Sequence, residues 1–260
     1  MSSASLYVDT GTPIHRLAGR AKIALAAGFS IAALVFSSPV AVGTVLGVAL
    51  LTLLAVGGWQ NLRRLAYIVV ALFIVGIVVW PAFTPAGGPV VISVPFLELT
   101  LHEVRFALGR SERIVAFLLI GLTVVTTTSN EELVASLRSL GVPFAMCFAL
   151  GTALRLFPTF LGAAGMVRQA QEARGHDLSA GNPVQRLRNY VPLLIPVLMT
   201  AFRQVSTQSM ALEARGFDTR RERTFYNRRR FATADWLAVG LAAIVAVGSI
   251  VLSTLGYGTL

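Results

Sequence analysis

Glu172-Ala173-Arg174-Gly175-His176-Asp177 closes one long helical pattern, and Glu213-Ala214-Arg215-Gly216-Phe217-Asp218 closes the next. Five of the six positions match. Short internal repeats mark related structural units. Each copy has the chemistry of a helix end. Glycine supplies a left-handed turn past the last helical residue, and arginine suits the negative pole of the helix dipole. The sequence therefore predicts two helix tips, each presenting an arginine. Reading back from the first copy, the helical pattern reaches Phe144, just after the stop Gly141-Val142-Pro143. From the second copy it reaches Asn182-Pro183, an N-cap followed by proline at the first helical position. At 1.5 Å per residue each helix would be roughly 45–50 Å long. Pro192 and Pro196 lie one turn apart, so the second helix should kink or split there. Upstream, Ser129-Asn130-Glu131-Glu132 has the Ser-x-x-Glu pattern of a capping box and opens a shorter helix.

The surroundings of the repeat are oily. Of 260 residues, 55% are hydrophobic and 13% charged, with a mean hydropathy of +0.72. That composition points to an integral membrane protein. The net charge of +10 is then better explained by loops facing the cytoplasm than by nucleic acid. A single cysteine, Cys147, allows neither an internal disulfide nor a cysteine-based metal site. The polar leader lacks the order of a cleaved signal, so the first apolar run is expected to stay as a span.

Apolar runs near the ~20 residues that cross a bilayer fall at about Ala21–Ser37, Val40–Gly58, Leu65–Phe83, Arg113–Thr128 and Trp236–Tyr257. Arg63 and Arg64 read as a short basic loop. Phe96 to Arg110 reads as a short amphipathic helix at an interface. The expected fold is an all-α integral membrane protein with about five transmembrane helices and a cytoplasmic part of one short and two long crossing helices. The expected division is residues 1–128, four spans; 129–234, helices at the inner face; and 235–260, the last span.

With five spans and the N-terminus inside, nineteen Lys and Arg face the cytoplasm against three (Arg105, Arg110, Arg113) outside. This satisfies the positive-inside rule. Phe144–Gly165 is also apolar enough for a sixth span and Asn189–Phe202 for a seventh, which would put the two repeats on opposite sides. Long helices lying at or dipping into the inner leaflet keep both repeats inside and are preferred.

Several chemistries are missing. There is no P-loop, and the only lysine, Lys22, is not in a glycine-rich loop. His15, His102 and His176 are far apart; His102 with Glu98 could share a helix face, a weak metal pattern. No catalytic set is visible, so no enzyme, no bound metal and no cofactor is expected. The spans carry almost no charge, so no ion pathway shows. What remains is a transmitter between partners.

The residues that carry a family are now in view. Pro13-Ile14-His15-Arg16-Leu17 with Arg20-Ala21-Lys22 is similar to a P-x-H-R-L-D-P-R-x-K pattern, with Ala18-Gly19 replacing Asp-Pro. Thr126-Thr127-Thr128, Glu132-Leu133 and Leu140-Gly141-Val142-Pro143 add to it, and the paired Ala-Arg-Gly tips are its most specific part. On these the chain resembles the T component of energy-coupling factor (ECF) transporters, the EcfT/CbiQ family, over nearly its whole length.

The resemblance implies a scaffold in the plasma membrane of a bacterium or archaeon, with its N-terminus and coupling helices cytoplasmic, in an ATP-driven importer of vitamins or nickel or cobalt ions. It implies that two cytoplasmic ABC-type ATPase subunits take the tips Ala173-Arg174-Gly175 and Ala214-Arg215-Gly216, and that they, not this chain, use the ATP. Glu172, Glu213, Asp177 and Asp218 would support the tips. A substrate-binding membrane S component would pack on the long helices, where Leu150, Leu154, Phe157 and Leu161 share a face by 3–4 spacing; packing inside this protein is the other use of that stripe. A conventional ABC permease with its own substrate path predicts one coupling loop per chain, and the paired repeat speaks against it. Lipid is a further expected contact, and the basic tail Arg220–Arg230 is compatible with a lipid-binding role.

Overall fold

The computed structural model describes residues 7, 10–83, 90–94, 97–175, 182–218 and 231–258. They form α1 (Gly19–Val35), α2 (Pro39–Ala55), α3 (Trp59–Val79), α4 (Leu101–Thr127), α5 (Asn130–Ser139), α6 (Phe144–Ala173), α7 (Pro183–Asn189), α8 (Val191–Ala214) and α9 (Thr233–Thr254). A 3-10 turn, Trp80–Phe83, follows α3. An antiparallel hairpin of β1 (Val90–Val94) and β2 (Leu97–Thr100) then leads into α4. The all-α membrane class holds, with this one small hairpin added to it.

The helix starts follow local chemistry. Ser38 Oγ accepts from the Ala41 amide at 3.3 Å and Pro39 takes the first helical position of α2. Ser129 Oγ accepts from the Glu132 amide at 3.2 Å, as the capping box predicts. The second long helix splits at Tyr190 into α7 and α8, next to Pro192.

Three expectations are corrected. The interfacial helix and the fourth span are one 27-residue helix. Thr100 and Glu103 form a reciprocal capping box, with Thr100 N donating to Glu103 Oε2 at 2.7 Å and Glu103 N to Thr100 Oγ1 at 3.3 Å. That cap starts α4 at Leu101, and nothing after it breaks the helix. Arg63 and Arg64 lie within α3, because the turn is made earlier, at Gly57 with φ +76°. Glu98 is in β2 and His102 in α4, so they share no helix face.

The chain divides into two compact units, Met1–Ser136 with Arg228–Leu260, and Leu137–Asn227. In the first, α4 packs against α1, α2 and α3, and α1 packs against α9. Leu53, Val115, Leu119 and Leu122 form its core. Small residues let the backbones approach, as is usual in membranes. A Cβ at Gly28 of α1 would lie 2.6 Å from the Ala242 carbonyl oxygen of α9.

Hydrogen bonds sort the helix ends of this unit into two sets. At one end, Thr10 Oγ1 donates to Val56 O (3.0 Å), the Ala18 amide to Asp235 Oδ1 (2.6 Å), and Lys22 Nζ to Thr127 O (2.7 Å). At the other, the amides of Ser37 and Ser38 donate to Gly258 O, and Arg113 donates to Phe36 O. Trp59, Trp80 and Trp236 all fall at helix ends, where aromatic belts sit. Helices α3, α6 and α9 are long and apolar enough to cross a membrane, and α2 is apolar but 17 residues long. Helix α4 is long enough but carries Glu103, Arg105, Arg110, Glu112 and Arg113 in its first half.

The second unit is built on α6 and α8. Phe217, just past α8, stacks on Phe148 near the start of α6, with ring centroids 4.5 Å apart. Toward the end of α6, Ala164, Gly165 and Arg168 face Tyr190, Val191 and Leu194 at the start of α8 across a cleft of about 630 Å³. The two helices therefore run antiparallel. Among the described residues of this unit only Cys147, Ala163 and Leu193 are buried. A soluble domain of this length would bury far more.

Candidate functional site: two arginine-bearing helix ends

Both predicted tips form. Arg174 caps α6 with φ −82° and ψ 6°, and its amide donates to Gln171 O at 3.1 Å. Gly175 follows at φ +82° and donates to Glu172 O at 2.9 Å. Arg215 caps α8 with φ −88° and ψ 5°. Gly216 follows at φ +65°, its amide on Glu213 O at 2.9 Å, while Phe217 N reaches Leu212 O at 3.0 Å. That pair of bonds is a full Schellman motif. The two tips thus share dihedrals within a few degrees at arginine, and both need the left-handed glycine.

Ala173, Arg174, Gly175, Ala214, Arg215 and Gly216 are all exposed. A Cβ added at either glycine meets nothing within 4 Å, so the tips stand clear. Neither arginine is ion-paired to a described residue. Each is left with a guanidinium fork open to a carboxylate, a geometry lysine does not offer.

The supporting acids behave differently from one another. Glu172 pairs with Arg168, Oε1 to Nε 2.8 Å, one turn back on α6, rather than with Arg174. The i,i+4 spacing is a signal for this pair that the sequence already held. Glu213 contributes its carbonyl to the Gly216 turn. Asp218 is exposed beside the second tip. Asp177, and with it His176 and the tail Arg220–Arg230, lies outside the described residues.

The tips sit at opposite ends of the antiparallel pair. Phe217 lies against Phe144 and Phe148, whereas Arg174 ends the same helix α6 some 26 residues beyond Phe148. At 1.5 Å per residue the two arginines are roughly 40 Å apart. Along α6 the predicted stripe is uncovered. Leu150 is 37%, Phe157 57% and Leu161 50% exposed, and Leu154 is half-buried. Exposed apolar surface on this scale marks a lipid or protein contact.

Phe217 is a site residue that the repeat does not mark, because it stands at the one position where the two copies differ. Its signal is the hydrophobic residue that a Schellman turn places after the glycine. No three His, Cys, Asp or Glu side chains gather among the described residues.

A family model described as CbiQ, cobalt transport protein, matches residues 10–226. The chain is 29% identical to the energy-coupling factor transporter transmembrane protein EcfT of Thermosediminibacter oceani, over 94% of this chain and 95% of that one. It is 27% identical to the EcfT of Thermanaerovibrio acidaminovorans, over 93% of each. Against the EcfT of Acidaminococcus fermentans it is 28% identical over 89% of each.

Proposed function

The chain belongs to the CbiQ/EcfT family, the transmembrane T components of energy-coupling factor transporters, and from this we propose that it couples two partner ATPases to a separate substrate-capturing subunit. It is a multi-pass membrane subunit of a transporter rather than an enzyme. One cytoplasmic ABC-type ATPase takes Ala173-Arg174-Gly175 and a second takes Ala214-Arg215-Gly216. In each socket the alanine allows close entry, the arginine meets acidic groups, and the glycine turns the chain away. ATP is bound and hydrolysed by those partners. A membrane S component packs on the apolar stripe of α6 and brings the cargo, a vitamin or a transition-metal ion.

One observation carries this reading: two like-built, exposed, glycine-turned arginine tips stand roughly 40 Å apart at opposite ends of one helix pair. Such spacing suits two sockets rather than one. The helices of the first unit cross the membrane with the N-terminus inside. Helices α6 and α8 lie at the inner leaflet, so that both tips face the cytoplasm, as the charge distribution favours.

The test is purification in mild detergent with identification of the copurifying subunits. Arg174→Glu combined with Arg215→Glu removes two charge-assisted contacts, each worth about 1.5–3 kcal/mol, and sets like charges against the sockets. The double variant should reach the membrane in normal amount, lose the ATPases and stop uptake. Unaltered uptake would refute the coupling role.

A further inference from the structure

Lys22, the only lysine in the chain, is 3% exposed. Its Nζ lies 2.7 Å from Thr127 O, 3.3 Å from His15 O, and 3.2 and 3.1 Å from Glu132 Oε1 and Oε2. Three N–H donors are thus shared among acceptors on three segments. Buried ion pairs contribute little net stability, and their best-attested use is to fix one arrangement out of several. Here the arrangement joins the first turn of α1 to the first turn of α5, 110 positions apart in sequence.

The same helices meet again one turn further along. Ser136 sits so close to Gly19 that any Cβ there would strike its Oγ. Helix α5 then runs on without a break from Ser136, the last residue of the first unit in this stretch, into Leu137–Ser139 of the second.

We propose that Lys22 and Glu132 are positioning residues for coupling: they clamp the root of α5 to α1, so that motion entering through the second unit is delivered to the bundle. This rests on the function proposed above. Without the clamp, α5 swivels at the non-helical residues Thr128 and Ser129, and ATP is hydrolysed without transport.

The test uses the whole complex in liposomes and measures substrate taken up per ATP hydrolysed. Lys22→Met and Glu132→Gln should each lower that ratio about tenfold, within the usual range of coupling between sites, while hydrolysis continues. The double variant should fall no lower than either single one, because the pair acts as a unit. A wild-type ratio in either single variant overturns the clamp.

A second variant decides the matter if the first ones fail to assemble. Gly19→Cys with Ser136→Cys, in a Cys147→Ala background, can be closed as a disulfide. The Gly19 Cβ position lies 3.1 Å from Ser136 Cβ, a few tenths of an ångström inside the ~3.5–4.5 Å of a disulfide, so α1 and α5 part slightly to close it. The oxidised protein should transport as well as the reduced one. Loss of uptake on oxidation, reversed by reductant, means that the root must detach, and overturns the proposal. A wild-type complex without ATP-dependent uptake would refute the proposed function instead.

Discussion

Replacing Gly216 by alanine puts a side chain on the residue that turns α8 away from Arg215. The site is open, since a Cβ there meets nothing within 4 Å, so the whole cost is conformational. An L-residue in the left-handed region is strained by about 1–2 kcal/mol. Letting the backbone flip out instead forfeits the bonds from Gly216 N and Phe217 N, each worth about 0.5–1.5 kcal/mol. It also forfeits the Phe217–Phe148 ring contact, worth another ~0.5–1.5 kcal/mol. Those losses outweigh the strain at most values, so the turn survives in the variant but competes with distorted forms. Apparent affinity falls with the fraction of competent tips, and by no more than the about 5–30-fold that the strain itself represents. Asparagine enters the left-handed region more easily than alanine, so Gly216→Asn should lose less. The assay titrates ATPase subunits onto the detergent-solubilised protein. The expected order of affinity is Gly216, then asparagine, then alanine. Alanine binding as tightly as glycine, or asparagine binding more weakly than alanine, refutes the requirement for this turn.

Two further outcomes are expected beside the arginine reversal and the Lys22–Glu132 tests. Gly28→Ala forces α1 and α9 apart at Ala242, and overpacking of this kind costs about 1–3 kcal/mol. It should lower the melting midpoint of the purified protein, and an unchanged midpoint would show that the helices do not approach there. Cytoplasmic reporters at Asp177 and Asp218 should give the same sidedness. Opposite sides would mean that the chain crosses the membrane between them, through α8, and would refute the five-span arrangement.

The tips were legible because everything that makes them is local. Arginine, then glycine, then the end of a helical period suffices to set Arg174–Gly175 and Arg215–Gly216. The split at Tyr190 followed in the same way from proline spacing. Elsewhere, local cues misled. Arg63 and Arg64 suggested a loop, yet charges are tolerated at the start of a helix that ends a membrane span. The hairpin has weak local signal because Gly87, Gly88, Pro89 and Pro95 crowd around it, although Val90-Val91-Ile92 carries the β-branched residues of a strand. The fusion of two segments into α4 turns on the Thr100–Glu103 cap, whose Thr-x-x-Glu pattern lies inside the expected Phe96–Arg110 helix. The Lys22–Glu132 pair had no local signal at all. Lys22 and Glu132 each lie in a motif that carries the resemblance, but nothing in either motif pairs them, because the partners lie on different helices.

The scarcity of buried residues among the described positions of the second unit has a thermodynamic consequence. A stretch with so small a core draws little cooperativity from it. Its folded form is favoured by whatever binds it more than by its own packing, so its stability rises with the concentration and affinity of those binders. Heat applied to the isolated subunit therefore reports on the bundle of α1–α4 and α9. The order of α6–α8 becomes an index of assembly: an orphan subunit and an assembled one share a sequence but not a stability.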